Sequence, residues 1–146
     1  MKIATVISSL YLLLVTALIA GRVARQERIS SDTVMGGLCV YIMLGVLWTS
    51  LFVNLELFHP GSFNFGVHGR DPDLIGFYGL LFYYSFISLL SIGFGDVVPM
   101  SAMAQTLTNL EGLIGRSYQV FHIAYLIHLH ISRRREGDSV SEETDN

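Results

Sequence analysis

The chain has 146 residues, a formal net charge of −3, 51% hydrophobic residues and 14% charged ones. That length suits one domain, and the charge content lies well below the roughly one quarter found in soluble domains, which excludes an ordinary soluble fold. The net charge says little, because five of the twelve acidic residues sit in the last eleven positions, and the single Cys39, inside an apolar run, excludes a disulfide framework and reads as a lipid-facing or packing residue.

The distribution of charge says more than its total. No charged residue occurs over Ile3–Gly21, Thr33–Leu55 or Leu74–Gly95, and each stretch meets the length of about 18 apolar residues expected of a membrane helix. Ile3–Gly21 is a first membrane helix. Lys2 and the small residues near Ala17–Gly21 also suit a secretory signal peptide. Arg22, Arg25 and Arg28 argue against that reading, because positive charge beside a helix end stays cytoplasmic and leaves the N-terminus outside. Ser30-Ser31-Asp32-Thr33 starts a second helix, running to about Phe58 and stopped by His59-Pro60-Gly61. Ser62–Gly76 is a loop rich in Gly, Asn and Asp, expected in water.

Hydropathy alone makes Leu74–Gly95 a third spanning helix, and topology opposes it. Arg22, Arg25 and Arg28 form one basic cluster and Arg133, Arg134 and Arg135 another. With both on the cytoplasmic side, an even number of crossings must separate them. Thr33–Phe58 is one crossing and about Ala102–Ile131 the other, so Leu74–Gly95 enters and leaves on the same side. Such a re-entrant segment is tolerated where protein or water surrounds its non-helical backbone. Within it, Phe77–Leu90 reads as a short aromatic-rich helix. The tail Glu136–Asn146 is polar and acidic and is expected to be disordered.

After that short helix comes Ser91-Ile92-Gly93-Phe94-Gly95-Asp96-Val97-Val98-Pro99. Here the sequence resembles the potassium channel pore family, whose filter is commonly written T-V-G-Y-G-D. The resemblance runs from about Thr33 to Ile131 and is densest at Tyr83–Pro99. A dehydrated ion needs oxygens in place of its water, and these filters supply backbone carbonyls. Pointing successive carbonyls at one axis requires some residues at positive φ, which glycine adopts without a Cβ penalty, hence Gly93 and Gly95. Ser91 keeps the hydroxyl of the usual threonine, Ile92 stands for valine, and Phe94 keeps the ring of the usual tyrosine. The preceding helix aims its C-terminal dipole toward a cation.

The resemblance implies an all-α membrane protein: an outer helix, a re-entrant pore helix with its selectivity filter, and an inner helix, preceded here by one additional N-terminal membrane helix. Residues 1–29 are then a membrane helix with a basic cytoplasmic linker, 30–132 the pore domain and 133–146 a disordered cytoplasmic tail. It implies a homotetrameric, multi-pass channel of the cell membrane, not an enzyme, with no cofactor beyond permeant potassium and no nucleic-acid partner. Ser91, Ile92, Gly93, Phe94 and Gly95 would coordinate potassium, and Asp96, Tyr83, Tyr84 and Ser88 would support the filter. The aromatic residue that bonds the filter aspartate in the family falls on Tyr84, with Tyr83 before it; Ile87 stands where some relatives carry a glutamate.

Gly115, nineteen residues after Asp96, matches the family's gating hinge, and a glycine there also suits close helix packing. Glu111 and Arg116 are costly inside a membrane helix, so they are expected to be compensated, with pairing between neighbouring subunits favoured, or hydrated. By position Glu111 lies behind the filter, while Arg116 and Gln119 lie on or near the cavity side. The spacings of His122, His128 and His130 do not share a helix face well enough for metal or haem, and His128 and His130 are placed at the cytoplasmic mouth. Arg22, Arg25 and Arg28 recur every third residue like a voltage sensor, but they follow the apolar run and are interrupted by Glu27. These arginines, with Arg133, Arg134 and Arg135, suit anchoring to anionic lipid. Two other functions remain open: a non-selective cation channel of the same fold, which Phe94 opposes, and a silent or accessory subunit, for which Arg116 speaks.

Overall fold

The computed structural model describes residues 2–24, 31–66 and 74–144. Helix α1 spans Lys2–Ala24, α2 Ser31–Phe58, α3 Leu74–Leu89 and α4 Ala102–Thr144; two short strands, β1 (Phe63–Asn64) and β2 (Val98–Pro99), pair antiparallel. Lys2–Val23 and Val34–Phe58 are the two described helices long and apolar enough to cross a membrane, and Ile75–Leu89 is apolar but shorter. Apart from the short ribbon, the described residues form an all-α fold. Arg25 and Arg28 lie outside the described residues.

Two helices, α3 and α4, run further than the sequence suggests. α3 starts three residues before Phe77, and α4 continues through 133–144, where a disordered tail is expected. Extending an existing helix adds one hydrogen bond per residue and needs no new nucleus, so a polar composition does not by itself end it.

Polar groups tie α1 to α2. The Ser9 and Ser50 hydroxyls hydrogen-bond, and Asn54 donates to Ser9 Oγ at 2.7 Å. Such contacts hold helices together where no hydrophobic force separates them from lipid. Cys39, on the same helix as Asn54, is exposed. The core lies between α2, α3 and the β1 turn. Phe52 packs edge-on against Phe63 and Tyr84, each at 5.4 Å, and Phe63 meets Tyr84 at 5.2 Å. Aromatic edge-to-face pairs add to area burial, so three elements converge on one cluster. Gly45 of α2 lets the Phe86 ring of α3 approach: a Cβ there would lie 2.6 Å from it.

The loop expected in water is partly core, since Ser62, Phe63 and Phe65 are buried. Its anchor is Glu56, buried at the end of α2, whose carboxylate accepts the Gly61 N–H at 2.7 Å and the Phe63 N–H at 3.1 Å. Those bonds fix the turn that presents β1. Ser62 O then accepts the Met100 N–H at 2.7 Å, and β1 pairs with β2.

Glu56→Ala leaves two backbone donors without their carboxylate, and at about 1.5–3 kcal/mol for each hydrogen bond to a charged group it should cost several kcal/mol in thermal unfolding in detergent. Glu56→Gln, which keeps one acceptor, should cost distinctly less. Equal losses would mean that the side chain acts through its bulk alone.

Candidate functional site

The Ser91–Asp96 segment hangs between two fixed ends. Its inner end is the C-terminus of α3. The Ile92 N–H reaches Ile87 O at 2.8 Å and the Ser91 N–H reaches Ser88 O at 2.9 Å. This is the bond pattern of a Schellman cap, with Ser91 at the left-handed position that glycine usually takes. Ser91 has φ of 58°, the one positive value among described residues other than glycine. A side chain there costs roughly 1–2 kcal/mol. Gly93 and Gly95 follow with φ of 61° and 78°, while Ile92 and Phe94 between them keep negative φ. Positive and negative φ therefore alternate from Ser91 to Gly95. Such alternation turns successive peptide dipoles the same way, so carbonyls gather on one edge of the strand.

The outer end is held by the β ribbon and by two further contacts. Gly66 sits at φ 55°, so close to the end of this segment that a Cβ would lie 2.6 Å from Asp96 O. The Asp96 carboxylate accepts the Val97 N–H at 3.1 Å and hydrogen-bonds the Tyr83 hydroxyl. Tyr84, one residue on, turns into the protein. Its hydroxyl bonds Thr108 Oγ1 of α4 at 2.7 Å and also meets the Ser88 hydroxyl. Within this chain Tyr83 is the ring that reaches Asp96, and Tyr84 joins α3 to α4. Ile87 is buried, and its carbonyl serves the cap.

A second hydrogen-bond relay lies toward the other end of α2. Gln119 Nε2 donates to Tyr41 Oη at 3.0 Å, and Tyr41 Oη donates to Leu89 O at 2.9 Å. A carbonyl at the end of α3, otherwise unpaired at a helix C-terminus, is thereby satisfied from α2, and α4 supports the donor. Gln119 is thus turned to α2. His122 stacks on Tyr118 at 5.7 Å and lies against Gly37, where a Cβ would be 1.9 Å from its ring. It is a packing residue, and the described residues hold no group of three metal-ligating side chains. The side chains of His128, His130, Arg133, Arg134 and Arg135 lie outside the described residues.

Glu111 is fully buried within its own chain and hydrogen-bonded to Ser85 of α3 at 2.5 Å, whereas Arg116 is exposed on another side of α4. Pairing of these residues between subunits is therefore not what the geometry offers: a carboxyl enclosed by its own protomer presents no face to a neighbour's guanidinium. Sequence reasoning missed two residues here. Glu56 carried a readable signal, a lone acid at the end of an apolar helix. Ser85 carried none, because a serine in a membrane helix is common.

Gly115 is buried against Leu89, and a Cβ on it would lie 2.6 Å from Leu89 Cδ1 and 3.4 Å from Leu89 O. Leu89 is itself fully buried and its carbonyl is held by Tyr41. Gly115→Ala should therefore lower thermal stability, by about 1–3 kcal/mol as overpacking does, and Leu89→Val beside it should recover part of the loss. A glycine needed only as a hinge would leave stability unchanged and alter opening alone.

The family model described as Ion channel matches residues 76–131. No curated protein and no solved structure matches the chain. The matched stretch covers most of α3, the whole capped and alternating segment and α4 as far as Ile131. From α3 to Ile131 the chain is similar to this family of ion channels.

Proposed function

We propose that the chain is a subunit of a potassium-selective channel that conducts K+ passively through a homotetrameric pore. The observation that carries this reading is the alternation of φ at Ser91, Gly93 and Gly95. A dehydrated cation must find oxygens where its water was, and a strand with carbonyls on one edge supplies them in series. Ser91, Ile92, Gly93, Phe94 and Gly95 are the coordinating residues. Tyr83 and Asp96 brace the outer end, and Ser88 and Tyr84 brace the inner one.

One chain holds one such strand, so a closed ring of oxygens requires symmetric copies. Ile92 and Phe94 support that assembly, being 51% and 68% exposed on a single protomer. Neither suits a surface facing water, and both lie on the segment that neighbouring copies would flank. In the membrane, α1 and α2 cross, α3 enters and returns, and α4 crosses as the inner helix. Its polar residues suit a helix that borders an aqueous cavity. The N-terminus lies outside and the C-terminus in the cytoplasm, with Arg22, exposed at the end of α1, near anionic lipid.

Reconstituted in liposomes under opposed K+ and Na+ gradients, the protein should give a reversal potential that follows K+. A potential that weights both ions equally would return the reading to a non-selective channel, and no current at all would favour a silent subunit. Gly95→Ala should abolish conduction: a Cβ at φ of 78° disfavours the left-handed conformation, although no atom stands in its way within the chain.

Native mass spectrometry in mild detergent should show four chains. K+ should raise the melting temperature of that species, because the ion binds the assembled ring and not the separated chains. A dominant monomer or dimer, indifferent to K+, would contradict the assembly.

A further inference from the structure

Behind the Ser91–Asp96 segment, polar groups from three helices meet in a space sealed from solvent. Ser85 of α3 and Glu111 of α4 are both fully buried. Ser85 Oγ lies 2.5 Å from Glu111 Oε1 and 2.9 Å from the carbonyl oxygen of Gly45 in α2. The number of hydrogens available decides how these contacts are made. A carbonyl oxygen only accepts, and so does an ionised carboxylate, while a serine hydroxyl has one hydrogen to give. With Glu111 ionised, one hydrogen faces two acceptors, and one contact is left as oxygen against oxygen. With a proton on Oε1, both contacts are made in sequence: Glu111 donates to Ser85 Oγ, and Ser85 donates to Gly45 O.

The rest of the surroundings favour the same answer. Glu111 Oε2 is buried without a hydrogen-bond partner. A neutral acid tolerates that for its carbonyl oxygen at far lower cost than a carboxylate, whose charge would be half unsolvated. The titratable groups that sense Glu111 are Tyr41 of α2 and Tyr84 of α3, both neutral phenols. On its own helix, Arg116 is exposed and acts on Tyr41. The described residues place no cation against the Glu111 carboxyl.

We propose that Glu111 is a proton-binding site: its carboxyl carries a proton and donates through Ser85 to the Gly45 carbonyl, latching α4, α3 and α2 together behind the filter. Removal of that proton breaks the latch. Ser85 then has two acceptors and one hydrogen, and a bare charge sits where no group answers it. The latch is independent of which ion the pore selects, since none of its groups lies in the ion path.

Infrared spectroscopy of the full-length protein in lipid tests this. At neutral pH, subtracting the Glu111→Gln spectrum from the wild-type one should leave the carbonyl stretch of a protonated carboxylic acid, shifted in deuterium oxide. Raising the pH should replace this band in the wild type by carboxylate bands that Glu111→Gln lacks. Ser85→Ala keeps the acid but removes the group it donates to, so the band should move to the position of a free, unbonded acid. Should Glu111→Gln not assemble, the wild type against Ser85→Ala gives the same assignment. A difference spectrum holding only carboxylate bands at neutral pH, or an acid band that Ser85→Ala leaves in place, would overturn the proposal.

Discussion

The Ser91–Asp96 segment holds a conformation that the chain resists. Alternate residues must be left-handed, and left-handed backbone is costly for all but glycine. Here Gly93 and Gly95 take two of those positions and Ser91 the third. Ser91 can do so because the same conformation ends α3. As the C′ residue of the cap it is over-determined by the Ile87 and Ser88 carbonyls. The serine keeps a hydroxyl at the inner end of the strand, which a glycine at this position would not offer. Backbone strain at a functional site is thus held by a helix terminus built from ordinary hydrogen bonds.

A strand held only at one end would relax. The other elements close the far end, and they do so through a chain of dependence that begins in α2. Glu56 fixes the turn after α2, the turn presents Ser62 and β1, and these take up β2 and Met100 beyond the filter. Gly66 then lies against Asp96 O, and Tyr83 reaches the Asp96 carboxylate. The aromatic cluster of Phe52, Phe63 and Tyr84 sets the spacing between the two ends, because it contains one ring from α2, one from β1 and one from α3. The Ser91–Asp96 segment is therefore positioned by contacts that are almost all outside it.

The helices, their order and the positive φ of Gly93 and Gly95 were legible because each rests on a local pattern: apolar length, and glycine spacing. What was not legible depends on side-chain direction. Glu56 and Glu111 look alike in the sequence, each a lone acid in an apolar helix. One accepts from backbone donors at a turn and the other meets a serine on a facing helix. Periodicity places Tyr83 and Tyr84 about 100° apart on a helix but cannot say which faces Asp96 and which faces α4. The β1–β2 ribbon escaped notice because two-residue strands carry no alternation to read. Glycine gave the opposite difficulty. Gly115 stands at the spacing of a hinge, yet its nearest atoms are those of Leu89, and a sequence does not show what a missing Cβ makes room for.

The polar residues of the described helices divide by a simple physical rule. One group joins helices to each other: Ser9, Ser50 and Asn54 between α1 and α2, Tyr84 and Thr108 between α3 and α4, and Ser85 and Glu111, with the Gly45 carbonyl, across α2, α3 and α4. In lipid, apolar faces give helices little reason to prefer each other over acyl chains, so such bonds decide which helix sits against which. Arg116 belongs to the other class. It is exposed, and Glu111, on the same helix, turns to Ser85 instead, so its charge is tolerable only where water or another chain reaches it. A helix that packs Glu111 against α3 on one face and leaves Arg116 exposed on another has to carry both kinds of residue.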